Sequence, residues 1–247
     1  MWPYPKILAH RGGGTLAPEN TIAALRCGLA HGFHAVEFDV MLSRDEVPVL
    51  MHDPDFGRTI AGCGQVSHTD AVDLMQMDAG RWFDPAFDGE PVPSLAQVLN
   101  FCQQNAIWMN IEIKPAWGFE QRTGERVAEQ TWAWFKDLPP EQWPLLSSFS
   151  FEALQAAQAA APKLPRALLL DQIRPNWLEQ VRSLQAVALH TNQKHLTAQQ
   201  AQSVKAAGLG LFCYTVNERQ RADQLLAMGV DAFCTDRIDL IGPALPL

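Results

Sequence analysis

The chain is short of cysteine and of positive charge, and it has no long apolar run. Five cysteines (Cys27, Cys63, Cys102, Cys213 and Cys234) are an odd number, and no two are close enough for a Cys-x-x-Cys pair. That argues against a disulfide framework or a structural zinc site and for a reducing compartment. Lys plus Arg number 19 against 27 Asp plus Glu, a formal net charge of −8. Such a balance argues against a general nucleic-acid or anionic-membrane surface. No window approaches the ~18 consecutive apolar residues of a membrane helix. The opening residues, Met1 to Lys6, lack the basic region and apolar core of a signal peptide. The expectation is a cytoplasmic protein without stable membrane association. Several motifs are missing too. The glycines Gly12–Gly14 are not followed by the Gly-Lys-Ser/Thr of a phosphate loop, nor do they have dinucleotide-fingerprint spacing. There is no HExxH zinc motif and no GxSxG nucleophile elbow.

What is present is a chain of 247 residues, 47% hydrophobic and 19% charged, enough for a sizeable core. No linker or repeat divides it, so residues 1–247 read as a single domain. Short apolar runs recur at Ile7–His10, Ala35–Leu42, Ile107–Lys114, Leu145–Ser148, Arg166–Leu170, Ala186–His190, Leu209–Val216 and Ala232–Thr235. Helix punctuation lies between them. Ser94 with Gln97 and Thr197 with Gln200 have capping-box spacing. Ser150 can cap the Ala-rich stretch Phe151–Ala161, Asn217 can cap the following helix before Gly229, and Pro18 suits an early helix position. Eight strand–helix alternations predict an α/β TIM (β/α)8 barrel, with an open doubly wound sheet as the alternative. Residues 54–93, rich in Gly, Pro and Asp, break the rhythm and predict a small insertion after the second strand.

Strand side chains at i and i+2 face the same way. Glu37 and Asp39 therefore share one face, and Asn110, Glu112 and Lys114 share another, while Ile111 and Ile113 point oppositely. With the isoleucines toward the helices, the carboxylates point into the barrel. Buried carboxylates need a cation, hydrogen bonds or protonation. Glu37, Asp39 and Glu112 can jointly hold one hard divalent ion, or they can pair with Arg and Lys in an internal ion network. The pattern alone leaves both open.

Two histidines end extended runs. His10 precedes Arg11 and the glycines, and His52 follows Val47–Met51 and precedes Asp53. Two imidazoles at one mouth can act as general acid and base near neutral pH, and Arg11 can grip a phosphate bidentately. Either histidine can equally be a satisfied, partly buried residue. His190 closes the sixth predicted strand and can line the mouth or pack in the core. His31 and His34 read as surface residues, and His68 and His195 have no clear placement. Trp82 and Trp117 fall near predicted loops, within possible reach of a substrate.

In order, His10-Arg11-Gly12, Ala17-Pro18-Glu19-Asn20-Thr21, Glu37-x-Asp39, His52-Asp53, Asn110-Ile111-Glu112-Ile113-Lys114, Tyr214-Thr215-Val216-Asn217, Gly229-Val230-Asp231 and Thr235-Asp236 resemble the glycerophosphodiester phosphodiesterase family. The likeness runs from about Ile7 to Asp239, and it is nearest the short cytoplasmic bacterial form associated with glycerol-phosphate uptake. The ordered set is far more specific than any one motif.

The resemblance implies a TIM barrel with an insertion after the second strand. It also implies metal-dependent hydrolysis of small-molecule glycerophosphodiesters, such as glycerophosphocholine and glycerophosphoethanolamine, to sn-glycerol 3-phosphate and an alcohol. Carried onto this chain, it makes Glu37, Asp39 and Glu112 the metal ligands and His10 and His52 the acid–base pair. Arg11 and Lys114 hold phosphate, Asn20 is a supporting contact near the start of the first helix, and Tyr214 belongs to the substrate wall. The expected cofactor is one divalent ion, with Mg²⁺ ahead of Ca²⁺ or Mn²⁺. Attack by the substrate's own 2-hydroxyl and direct attack by water both fit. Tyr214 stands where relatives often have Trp, and Ala232-Phe233 replaces a common small or aliphatic pair. Two other readings have less support: a phospholipase D-like barrel acting on lysolipids, which prefers an apolar entrance, and a non-catalytic sugar-phosphate-binding module, which needs neither both histidines nor three carboxylates. Nothing in the sequence assigns an oligomeric state.

Overall fold

The computed structural model describes residues 2–244. In chain order the strands and helices are β1 (Ile7–Ala9), α1 (Ile22–Ala30), β2 (Ala35–Leu42), β3 (Pro48–Leu50), α2 (Ala71–Leu74), α3 (Leu95–Gln104), β4 (Trp108–Ile113), α4 (Glu120–Phe135), β5 (Leu145–Ser148), α5 (Phe151–Ala160), β6 (Arg166–Leu170), α6 (Trp177–Ser183), β7 (Ala188–Asn192), α7 (Ala198–Ala206), β8 (Gly210–Tyr214), α8 (Arg219–Ala227) and β9 (Ala232–Thr235). Eight strands run parallel in the order β1-β2-β4-β5-β6-β7-β8-β9, and β9 pairs back onto β1 to close the barrel. The short β3 lies antiparallel on β2, with Val40 opposite Leu50. This is the TIM-like barrel expected from the alternation, with its extra strand after the second one. No regular helix follows β9 among the described residues, where the chain turns back through Arg237 to Ile241.

Local chemistry sets most boundaries. Ser94 and Thr197 each form the full reciprocal capping box with Gln97 and Gln200. The Ser150 hydroxyl accepts the Ala153 N–H at 3.1 Å. Three expectations shift. Helix α1 starts at Ile22 and is capped by Thr21, because Asn20 adopts a left-handed φ of 59° that a helix cannot contain. Glu19 and Asn20 therefore lie in the preceding loop. Helix α8 is preceded by Glu218, and the Asn217 side chain turns instead to Asp236. Strand β7 begins at Ala188 and continues to Asn192, later than the predicted Ala186–His190. The Ala186 N–H is still bonded to Val181 O, and Gln185 sits at φ 49°, so the turn after α6 delays the strand. His190 thereby moves from a strand end to mid-strand.

The layer between barrel and helices is the main core. It includes Val36, Phe38, Val40, Ile111 and Ile113 together with Leu99, Val127 and Leu154 from the helices. Residues between β2 and α3, including Val49, Val66 and Leu74, pack with Met41 of β2 in a smaller cluster of their own. That mini-core explains how a Gly- and Pro-rich stretch holds a defined shape. Trp2 and Tyr4 pack with Trp108 among Leu145, Ala167 and Ala188, the inward residues near the strand starts. The Tyr4 and Trp108 rings stack at 4.8 Å. The amino-proximal end of the barrel is thus plugged by aromatics, and only the carboxyl ends of the strands are left for chemistry.

Glycine at position 14 is required by close approach. It has φ +56°, and a Cβ there would lie 2.1 Å from Asp236 O. The contact lets the loop after β1 dock on the loop after β9, where Thr15 N donates to the same oxygen at 2.9 Å. Gly208, at φ +78°, has nothing within 4 Å of such a Cβ. Gly208→Ala should cost about 1–2 kcal/mol, the left-handed backbone penalty alone. Gly14→Ala should cost distinctly more, because the clash is with backbone. Urea unfolding of both variants tests the ordering; equal losses would mean that the loop yields freely.

Candidate active site

The inward faces of β2 and β4 carry the acidic cluster. Parallel register sets Asp39 beside Glu112 and Glu37 beside Asn110. Glu37, Asp39 and Glu112 are buried, and one carboxylate oxygen from each lies within 4.8 Å of the others. Their surroundings differ. Asp39 accepts Asn20 Nδ2 at 2.9 Å and Lys114 Nζ at 3.2 Å, and its N–H donates to Asn20 Oδ1 at 3.0 Å. Burial opposes its ionisation, but Lys114 and Arg11 outweigh burial and hold its pKa below the ordinary carboxylate range. Glu37 accepts only the Arg11 backbone N–H, at 3.1 Å, while Glu112 Oε1 has no hydrogen-bond partner and lies 3.6 Å from Lys114 Nζ. Burial and the charge of Asp39 push both glutamates upward.

This donor set fits a hard divalent cation. Three carboxylates converge, one of them with a buried, orphaned oxygen, and two of the acids resist ionisation until more positive charge arrives.

The histidines flank the cluster, each tied at Nδ1 to an aspartate. His10 Nδ1 lies 2.5 Å from Asp236 Oδ1, and its Nε2 lies 3.7 Å from Glu37 Oε2. His52 Nδ1 lies 2.6 Å from Asp53 Oδ1. An Nδ1–H donated to carboxylate leaves Nε2 as the nitrogen free for chemistry. Burial disfavours the charge on His10, but the bond to Asp236 and the charge of Glu37 prevail and raise its pKa. For His52 burial prevails over the charge of Asp39 and lowers the pKa. The two rings are thus poised in opposite directions.

A second ring of charges braces them. Arg58, from the segment after β3, donates to Asp53 Oδ2 at 2.5 Å and to both oxygens of Glu19 at 2.7 Å. Glu19 accepts Arg11 Nη1 at 2.8 Å. Arg11 Nε is buried without a hydrogen bond, 3.5 Å from Asp39 Oδ2. Asp236 is braced by Asn217, whose amide donates to Oδ2 at 2.9 Å.

His10, Arg11, Glu37, Asp39, His52, Glu112, Lys114 and Tyr214 line one cavity of about 190 Å³. Asn20 does not line it. The Asn20 amide and carbonyl are both engaged with Asp39, so it orients a carboxylate. Tyr214 holds its hydroxyl against Leu170 O at 3.1 Å and its ring against Phe149. Trp117 is 94% exposed, and Trp82 sits beneath the Arg58 guanidinium; neither lines the cavity. Sequence reasoning gave no role to Asp236, Glu19 or Arg58. Asp236 carried a signal, since it directly follows a strand end. Arg58 carried none: Asp53 is only five residues away, but its other partner, Glu19, comes from the loop after β1.

An acidic cleft holding two histidines and two cations at the carboxyl ends of barrel strands is the position at which α/β-barrel enzymes place their active sites. Comparison with known proteins defines the class. Residues 10–240 match the glycerophosphoryl diester phosphodiesterase family. A glycerophosphodiester phosphodiesterase of Caldanaerobacter subterraneus is 30% identical over 236 residues, 93% of each chain. The structure of a phosphodiesterase from Oleispira antarctica, solved with its product sn-glycerol 3-phosphate, superposes with a TM-score of 0.88 at 34% identity over 98% of this chain and 97% of that one. A glycerophosphodiester phosphodiesterase of Agrobacterium tumefaciens gives 0.77 at 28% identity, with 98% and 100% covered. The chain belongs to the glycerophosphodiester phosphodiesterase family. It is a phosphoric diester hydrolase. No helix among the described residues is long and apolar enough to cross a membrane.

The raised glutamates make a stability prediction. From their ordinary 4.5 up to about 7 for Glu37 and about 8 for Glu112, the folded protein binds more protons than the unfolded chain. Stability of the metal-free protein should therefore fall as pH rises from about 5 to 8. Asp39, lowered from 3.8 to about 2, acts in the other sense and only in acid, its contribution disappearing as pH falls through that range. Added divalent cation should raise the melting temperature more at pH 8 than at pH 5.5, because ionised ligands bind it better. Thermal melts with chelator and with Mg²⁺ check this, and a shift independent of pH would contradict it.

Proposed function

We propose that the enzyme cleaves glycerophosphodiesters such as glycerophosphocholine and glycerophosphoethanolamine to sn-glycerol 3-phosphate and the free alcohol. One observation carries the reading: three converging carboxylates, two aspartate-tethered histidines and two cations share one small cavity. The product bound to the Oleispira antarctica relative supports it. Glu37, Asp39 and Glu112 would hold the divalent ion, with Mg²⁺ the first choice for an all-oxygen set and Ca²⁺ or Mn²⁺ able to replace it. When bound, that ion supplies positive charge against the phosphoryl oxygens.

The chain's own residues do the rest. Arg11 and Lys114 neutralise charge building on the phosphoryl group. Lys114 keeps its charge although burial opposes it, because Asp39 and Glu112 raise its pKa. His52, held neutral, takes the proton of the attacking hydroxyl at Nε2. His10, held protonated by Asp236, returns one to the departing alkoxide. The attacking hydroxyl is either water, which gives glycerol 3-phosphate directly, or the substrate's 2-hydroxyl, which gives a cyclic phosphate that water then opens. In that opening the now neutral His10 takes the water's proton and the protonated His52 returns one to the 2-oxygen. In both routes the first proton goes to the same nitrogen. Five free thiols support a cytoplasmic setting.

A coupled assay for glycerol 3-phosphate release, with and without chelator, tests the whole reading. Full turnover of a demonstrably metal-free protein would end the metal assignment. His10→Ala and His52→Ala should each lower turnover ~10²–10⁴-fold while leaving the fold intact.

The pH profile tests the roles separately. Turnover needs neutral His52, so it should fail in acid, below the ordinary histidine value of 6.5. It needs protonated His10, so it should fail in alkali, above that same value. Asp236→Asn removes the charge that holds the proton on His10. Its alkaline limb should move to lower pH while the acid limb stays in place. An unmoved alkaline limb would mean that His10 is not the acid.

A further inference from the structure

His190 is the most isolated polar side chain near the site. It is fully buried at mid-strand in β7, and neither ring nitrogen has a hydrogen-bond partner. Its ring stacks on Phe212 at a centroid distance of 4.5 Å. It also lines the catalytic cavity, together with Asn110, whose Oδ1 is likewise buried without a partner. Two buried side chains that line one chamber thus carry three unsatisfied polar atoms between them. Buried polar atoms are nearly always paired, and leaving them bare is costly. Packing alone does not explain the choice, because the stack on Phe212 would be served as well by an apolar ring.

We propose that His190, with Asn110, forms the hydroxyl-recognising floor of the cavity and selects substrates whose phosphate carries a vicinal polyol. The inference rests on the phosphodiesterase reading above and adds the residues that read the glycerol side. A neutral imidazole offers one donor and one acceptor, the complement of a hydroxyl that both accepts and donates. Burial keeps the ring neutral, pushing its pKa down to about 3. The Asn110 carbonyl adds a second acceptor. Space agrees with this orientation. The cavity of about 190 Å³ equals the bulk of roughly six waters, room for the small polyol side of the diester. The other alcohol would face the wider groove of about 620 Å³, which shares Tyr214 and Thr215 with the cavity and is lined by Asn192, Lys194 and Arg221.

Two inhibitors of equal charge isolate the hydroxyl contribution: sn-glycerol 3-phosphate, and propyl phosphate, which has the same carbon chain without hydroxyls. Both are measured against hydrolysis of glycerophosphoethanolamine by the metal-loaded enzyme. Wild type should favour glycerol 3-phosphate by about ten- to hundredfold. His190→Phe should abolish most of that preference while leaving the inhibition constant of propyl phosphate within about twofold. Equal weakening of both inhibitors, or an unchanged preference, would overturn the proposal and leave His190 as a packing residue. A measurement on wild type avoids dependence on the variant's folding: the ¹⁵N resonances of the His190 ring should shift with glycerol 3-phosphate and stay in place with propyl phosphate. Resonances that ignore both ligands, or answer both alike, would count against it. A wild-type protein that hydrolyses no glycerophosphodiester would sink the underlying reading instead, a distinct result.

Discussion

Three carboxylates buried on neighbouring strands are the constraint on which the rest of this site depends. Parallel pairing of β2 with β4 forces Asp39 and Glu112 side by side and leaves Glu37 one layer below. Mutual repulsion and burial work against their joint ionisation. Lys114, Arg11 and Asn20 relieve Asp39, but Glu112 keeps an orphaned oxygen and Glu37 has one backbone donor. The cluster is therefore satisfied at one corner and open at the other two. That asymmetry makes it a receptor for further positive charge, whereas a closed ion network would be self-sufficient.

The outer charges distribute this strain. Glu19 and Arg58 link Arg11 to Asp53, and Asp53 holds His52. The far histidine depends on a different loop, through Asp236 and Asn217. Each imidazole is thus oriented by a carboxylate from its own side of the mouth, and the two environments move the rings apart in basicity. A pair of titratable groups pushed in opposite directions is what acid–base chemistry at one pH requires. The loop after β1 contributes to both halves, since Gly14 docks on Asp236 while Arg11 bonds Glu19.

The barrel separates its two ends chemically. Aromatic rings of Trp2, Tyr4 and Trp108 plug the amino-proximal end, and ionisable groups crowd the other. His190, Asn110, Phe212 and Leu169 line the same cavity as those ionisable groups, and His190 stacks on Phe212. The segment after β3 adds a small core of its own and places Arg58 at the rim. Rigid strands carry the carboxylates, while the loops carry the groups that orient them.

Strand positions, capping boxes and the inward pairing of Glu37 with Asp39 and of Glu112 with Lys114 were legible in the sequence, because each rests on a local rule. Alternation along a strand and side-chain-to-backbone bonds over three residues need no knowledge of the fold. The order of the family motifs singled out residues that the fold gathers around one cavity, since order survives where spacing drifts. Other features needed the closed barrel. Asn20 lies in a loop and faces Asp39, Asn217 caps no helix and braces Asp236, and His190 sits mid-strand with both nitrogens bare. Those outcomes are set by partners 19 or more residues away for Asn20 and Asn217, and by strand register for His190. A local rule assigns a side chain its preferred neighbour in sequence. Only tertiary structure decides when a distant buried charge competes for it and prevails.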